Sequence, residues 1–147
     1  MQITPSQMIN VLLIEDDPED VDLTEEALAQ SRVMVKLNVV HDGEEALAYL
    51  NQEGKYANQQ LPDLIWLDLN LPGMSGQEIL QEIRQNQSIQ HIPVVILTTS
   101  DAEEDILRSY RLGANCYVQK PIGIRQFEHI LKSIESFWFT IVKLPPH

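Results

Sequence analysis

Five short apolar runs alternate along the chain with segments of helical periodicity: Ile9–Ile14, Val35–Val40, Leu64–Leu69, Pro93–Thr99 and Cys116–Val118. Their lengths and their Val, Ile and Leu content suit strands buried on both faces, as in parallel sheets. Such strands need helices on each side of the sheet, and the alternation supplies them. The expected fold is therefore α/β, a (βα)5 doubly wound parallel sheet of five strands. The order 2-1-3-4-5 is the common solution, although the pattern alone does not dictate it.

The helices carry their own punctuation. The first starts near Pro18, suited to a first helical turn, with Asp17 before it as a cap. The second runs from about Gly43 to Gln52, with Ala46, Leu47 and Leu50 at inward spacing. A third follows Ser75 and carries Ile79, Leu80 and Ile83. A fourth spans about Ala102 to Leu112, stopped by Gly113. The fifth extends from about Ile124 to Phe139, with Phe127, Ile130, Leu131, Ile134 and Trp138 on one stripe. Asn51–Pro62 reads as a polar connector and Leu144–His147 as a short tail. At 147 residues, one core and one domain are the expectation.

Charge narrows the function classes. The net charge is −12, and eight carboxylates precede Arg32, the first basic residue: Glu15, Asp16, Asp17, Glu19, Asp20, Asp22, Glu25 and Glu26. A chain of that sign repels phosphate backbones, which argues against direct nucleic-acid binding. Taken alone, an acidic run is a solvated helix face. Cys116, the single cysteine, cannot form an internal disulfide, which favours a reducing compartment. Met1–Asn10 lacks the pattern of a secretory leader, and no apolar run approaches the roughly 18 residues of a membrane span. A cytoplasmic protein is expected. His41, His91, His129 and His147 have no partners at metal spacing and read as surface or locally bonded residues.

In open parallel sheets, ligands bind outside the carboxyl ends of the strands. The residues ending successive strands here are Glu15-Asp16-Asp17, Asp68, Thr98-Thr99 and Lys120. Polar groups far apart in sequence thus converge on one edge. Like charges about 4 Å apart repel by about 4 kcal/mol at an effective dielectric of 20, so the carboxylates would raise their pKa values or attract a cation. All-oxygen ligation suits Mg2+, and the backbone carbonyl of Asn70 could add an oxygen. Lys120 can neutralise a carboxylate or hold a phosphoryl oxygen, and Thr98 adds a hydroxyl. Read singly, Thr98 is β-branched strand filler, Lys120 a loop lysine and Asp68 a loop cap. Together they fit phosphoryl transfer, with Asp68 as the nucleophile that forms an acyl phosphate. The Leu71-Pro72-Gly73 turn could leave that site open.

These motifs carry a specific resemblance. Glu15-Asp16 after Val-Leu-Leu-Ile, Asp68 in Leu-Asp-Leu-Asn-Leu-Pro-Gly-Met-Ser-Gly, Thr98-Thr99 after Val-Val-Ile-Leu, and Tyr117-Val-Gln-Lys120-Pro121 are similar to the receiver domain of two-component response regulators. The resemblance spans roughly residues 9–136 and implies a flavodoxin-like fold. It implies that Asp68 accepts a phosphoryl group from a sensor histidine kinase. Asp16, Asp68 and the Asn70 carbonyl would ligate Mg2+ or Mn2+, with Glu15 acting through water; Asp17 stays outside the set. Lys120 would bind the phosphoryl group, with the Lys120–Pro121 bond often cis. Thr98 and Tyr117 would form the switch, changing the surface of the fourth helix, fifth strand and fifth helix. Phosphorylation adds about −1.5 to −2 charge, ample to bias a two-state element. The protein would be no enzyme beyond assisting its own phosphotransfer and dephosphorylation.

A closer resemblance is to the small single-domain response regulators of cyanobacterial phytochromes. It rests on the Asn51–Pro62 connector, the Asn-Cys-Tyr stretch and the tail from Ile134 to Pro145. It implies a phytochrome as the kinase partner. Gln119 and Ile122 depart from the commonest receiver pattern, and Ile122 stands where a phenylalanine is frequent. No output domain is expected after the fifth helix. Phe137, Trp138 and Phe139, at the start of the 137–147 tail, are candidate contacts of a homodimer, or else they pack under the tail. Three other readings fare worse. An aspartyl-phosphate phosphatase needs a second aspartate where Asn70 stands. A flavin carrier wants an uncharged phosphate loop after the first strand, where Glu15-Asp16-Asp17 stands. A docking-only receiver would not need the full site.

Overall fold

The computed structural model describes residues 8–147. Residues 1–7, most of the Met1–Asn10 stretch in which no secretory leader is expected, lie outside them. Strands β1 (Ile9–Ile14), β2 (Val35–Val40), β3 (Leu64–Leu67), β4 (Val94–Thr98) and β5 (Cys116–Gln119) form one sheet in the order β2-β1-β3-β4-β5. Every neighbouring pair is parallel. This is the expected topology. All five strands end at the same edge, where the chain turns into helices α1 (Pro18–Ala29), α2 (Gly43–Leu50), α3 (Gly76–Gln85), α4 (Glu103–Arg111) and α5 (Ile124–Ser136).

Strand side chains alternate between faces, and each face has its own core. Leu12, Ile14, Ile65, Leu67, Val94 and Ile96 pack beneath α2 and α3, against Ala46, Leu50, Ile79, Leu80 and Ile83. Val11, Leu13, Leu64, Trp66, Val95 and Leu97 pack beneath α1 and α5, against Leu28, Phe127, Leu131 and Ile134. Helix α4 is the exception, since Ser109 is its only buried residue.

The caps follow the sequence. Asp17 accepts a hydrogen bond from the Glu19 N–H at 2.9 Å, with Pro18 opening α1. Asp42 accepts from the Glu45 N–H at 2.8 Å and Ser75 from the Glu78 N–H at 3.2 Å. Each pairs a donor that the helix start leaves open. Gly113 ends the α4 segment at φ 103°, a conformation that favours glycine. Arg84 braces the far side of the sheet: its guanidinium donates to the carbonyls of Gly113, Gln90 and Ile92 and to Asn115 Oδ1.

Three expectations change from β5 onward. Helix α5 stops at Ser136 and gives way to a π-helical turn over Phe137–Ile141, closed by the Val142 N–H on the Phe137 carbonyl at 3.0 Å. A π turn inserts an extra residue per turn and shifts the helical register. Trp138 and Phe139 consequently both face inward, and Phe139 stacks on Trp66 with ring centroids 6.2 Å apart. Of the three aromatics read as dimer contacts, only Phe137 is exposed. The α-helical period that placed Phe139 outside fails where the helix widens. Among the described residues no peptide bond is cis, so Lys120–Pro121 is trans, contrary to the isomer the resemblance implies.

This packing predicts unequal costs. Phe139→Ala should destabilise the fold by about 3 kcal/mol through the cavity it leaves beside Trp66, and Phe137→Ala by under about 0.5 kcal/mol. Urea unfolding of the two variants beside the parent chain measures both.

Candidate phosphoryl-transfer site

The polar ends of the strands meet as the topology requires. Glu15, directly after β1, is buried, while Asp16 beside it is exposed. Asp68, directly after β3, is buried at 7% exposure. Thr98 closes β4 and is fully buried, and Lys120 follows β5 at 5% exposure. Backbone bonds lock these ends together: the Asp68 N–H donates to the Ile14 carbonyl at 3.1 Å, and the Lys120 N–H to the Thr98 carbonyl at 2.6 Å.

Close packing holds the Asp68 loop in place. A Cβ on Gly76 would lie 2.3 Å from the Asp68 carbonyl oxygen and 2.7 Å from the Leu69 Cα, so no larger residue fits there. The Gly76 N–H donates to the Leu69 carbonyl at 3.0 Å. Gly73 turns the chain at φ 73° between Pro72 and α3. The start of α3 is thereby pressed against the backbone that presents Asp68.

The Lys120 ammonium is the electrostatic centre. It donates to Glu15 Oε1, to Asp20 Oδ2 at 2.8 Å and to Asp68 Oδ2 at 3.2 Å. The other oxygen of Asp68 accepts the Asn70 N–H at 3.1 Å. Burial alone would lower the Lys120 pKa, but bonds from Asp20 and Glu15 and the charge of Asp68 outweigh it and hold the ammonium charged. Burial pushes the Glu15 carboxyl up to about 8; the Lys120 bond opposes that rise and the nearby Asp68 charge adds to it.

A divalent ion fits this edge. One carboxylate oxygen each from Glu15, Asp16 and Asp68 lie within 4.8 Å of one another, which is the hard, all-oxygen donor set that Mg2+ or Mn2+ takes. The Asn70 side-chain amide donates to Thr98 Oγ1 at 3.4 Å. Tyr117 is turned toward the β4–α4 loop, where its hydroxyl donates to the Ser100 carbonyl at 2.9 Å.

Asp20 belongs to this site, although the sequence places it on a solvated helix face. It stands three residues after the Asp17 cap, so the first turn of α1 brings it back over the strand edge. The histidines remain peripheral: His41 Nδ1 lies 3.2 Å from the Glu15 carbonyl, and His147 pairs with Asp63 at 2.8 Å.

The parallel sheet, the carboxylate cluster and the buried lysine define an aspartate-phosphorylated signalling domain. The family profile of the response regulator receiver domain matches residues 11–132, and the chain belongs to that family. It is a response regulator of two-component signalling, a class phosphorylated on an aspartate. The response regulator Rcp1 of Synechocystis sp. is 44% identical over 135 residues, which cover 92% of each chain. The crystal structure of a phosphorylated cyanobacterial phytochrome response regulator, RcpA, matches with a TM-score of 0.92 and 47% identity, covering 95% of this chain and 99% of that one. The Mn2+-bound form of Rcp1 matches with a TM-score of 0.91 and 43% identity, over 94% and 99% of the two chains. Among the described residues no helix is long and apolar enough to cross a membrane.

The raised Glu15 pKa has a sign that can be tested. Glu15 holds its proton more tightly folded than unfolded, so its contribution to metal-free stability is full below about 4.5 and is lost as the pH rises through about 8. Urea unfolding without metal should show the parent chain losing stability from about pH 5 to about pH 8, with Glu15→Gln flattening that slope. Added Mg2+ should restore stability at the upper end, because it binds the ionised cluster.

Proposed function

We propose that Asp68 is the phosphoacceptor. The buried Lys120 ammonium beside Asp68 and the carboxylate oxygens gathered within 4.8 Å carry this reading. A carboxylate oxygen of Asp68 attacks the phosphorus of a phosphohistidine on a sensor histidine kinase. The P–N bond breaks, its electron pair leaves with the imidazole nitrogen, and Asp68 becomes an acyl phosphate. Lys120 gives an N–H to a phosphoryl oxygen, and the Thr98 hydroxyl turns to another. Asp16, Asp68 and the Asn70 carbonyl hold Mg2+ or Mn2+, with Glu15 acting through water. When bound, the ion offsets the negative charge that gathers on the phosphoryl oxygens.

Thr98 and Tyr117 form the switch. As Thr98 moves toward the phosphoryl group, space opens for the Tyr117 ring, whose bond to Ser100 ties the β4–α4 loop to β5. The thin anchoring of α4 makes that face the responsive one. The receiver unit spans residues 9–136, with 137–147 as a tail packed on it. Beyond assisting its own phosphotransfer and dephosphorylation the chain is no enzyme.

The kinase partner is a phytochrome, a reading supported by similarity to RcpA. Output runs through protein contacts in the cytoplasm, since a −12 chain repels nucleic acid. Self-association as a homodimer uses the exposed Phe137 and Ile141.

Incubation with acetyl phosphate and Mg2+ should place acid-labile phosphate on the parent chain. Asp68→Asn should cut that labelling at least about a hundredfold, and a chelator should abolish it. Equal labelling of the variant would move the acceptor elsewhere. For the dimer, Phe137→Glu should lower the mass measured by sedimentation to that of the 16.8 kDa monomer; an unchanged mass would place the contact elsewhere.

A further inference from the structure

We infer that Asp20 is a positioning residue for phosphoryl transfer, acting through Lys120; this rests on the reading of Asp68 as the acceptor. An ammonium has three N–H donors, and here three carboxylates occupy them. The donors are not equally committed. The bond to Asp68 is 3.2 Å, against 2.8 Å for Asp20. The Glu15 bond comes from a residue that is also in the metal-side cluster, whereas Asp20 is outside that cluster. Asp20 is therefore the partner of Lys120 with no second duty.

The backbone around Asp20 supports that role. It is the third residue of α1, behind Pro18 and the Asp17 cap, and the Thr24 hydroxyl donates to its carbonyl at 2.8 Å. Its side chain is about one-fifth exposed, while that of Lys120 is 3% exposed. A carboxylate on a capped helical turn thus fixes a flexible four-carbon stem from the solvent side. With two N–H groups held by Glu15 and Asp20, the third points at Asp68 Oδ2, where the phosphoryl group arrives. Asp20 does not compete for the phosphoryl contact; it sets the direction of the donor that makes it.

Three chains separate this role from a simple contribution of charge: the parent, Asp20→Ala and Asp20→Asn. Both variants lose the same negative charge, but only asparagine keeps an oxygen placed to accept the Lys120 bond. Initial rates with acetyl phosphate and Mg2+ avoid any effect of α1 on kinase docking. Asp20→Ala should be phosphorylated about tenfold more slowly than the parent, and Asp20→Asn within about threefold of it. Titration with Mn2+ should shift equally for the two variants. Equal rates for alanine and asparagine would overturn the positioning role, as would a parent rate in Asp20→Ala. Should Asp20→Ala fail to fold, Asp20→Ser, whose hydroxyl is too short to reach Lys120, gives the same comparison. A parent chain that takes no phosphate would overturn the acceptor reading, and this inference with it. Labelling of the parent alongside matched variants would overturn the Asp20 role alone.

Discussion

The site depends on one buried ammonium. Lys120 lies at the end of β5, yet it bonds to carboxylates from the end of β1, the first turn of α1 and the end of β3. Without it, Asp68 would be a buried carboxylate with no cationic partner, and burial would drive Glu15 still further toward its protonated form. The lysine thus makes the acidic edge compatible with folding. It also draws together elements that are about a hundred residues apart in the chain.

Even with Glu15 protonated, one ammonium cannot neutralise Asp16, Asp20 and Asp68 together, and the imbalance favours a cation. The residual charge sits on the side of Asp16, the exposed member of the cluster, which leaves an approach for a hydrated ion. A site balanced internally would fold more easily and bind no cation. Stability and function pull against each other here, as they do where an edge is kept charged for chemistry.

The fold was largely legible because its signals are local. Strand runs, the Asp17 cap, the helix start after Ser75 and the glycine stop after α4 all depend on near neighbours, and each appears within a few residues of its expected place. That Glu15, Asp16, Asp68, Thr98 and Lys120 meet at one edge was legible for a topological reason, since parallel strands must end together. Asp20 was missed because its partner is a hundred positions away, and a carboxylate in an acidic run carries no mark of its pairing. Phe139 was misplaced because a π turn has no signature in the spacing of apolar residues. Arg84 shows the same gap: nothing near it in sequence announces its bonds to Gly113 and Asn115.

Helix α4 contributes one buried side chain, Ser109, whereas its neighbours α3 and α5 each bury several. The hydroxyl of Ser109 has no hydrogen-bond partner among the protein atoms, so even that burial is weakly rewarded. With so little apolar anchorage, α4 is seated by polar contacts instead: Gln77 of α3 donates to Asp105 and accepts from Arg108, and the Ser100 hydroxyl donates to Asp105. Polar contacts at a surface exchange readily with water, so of the five helices α4 is the one whose seat costs least to change.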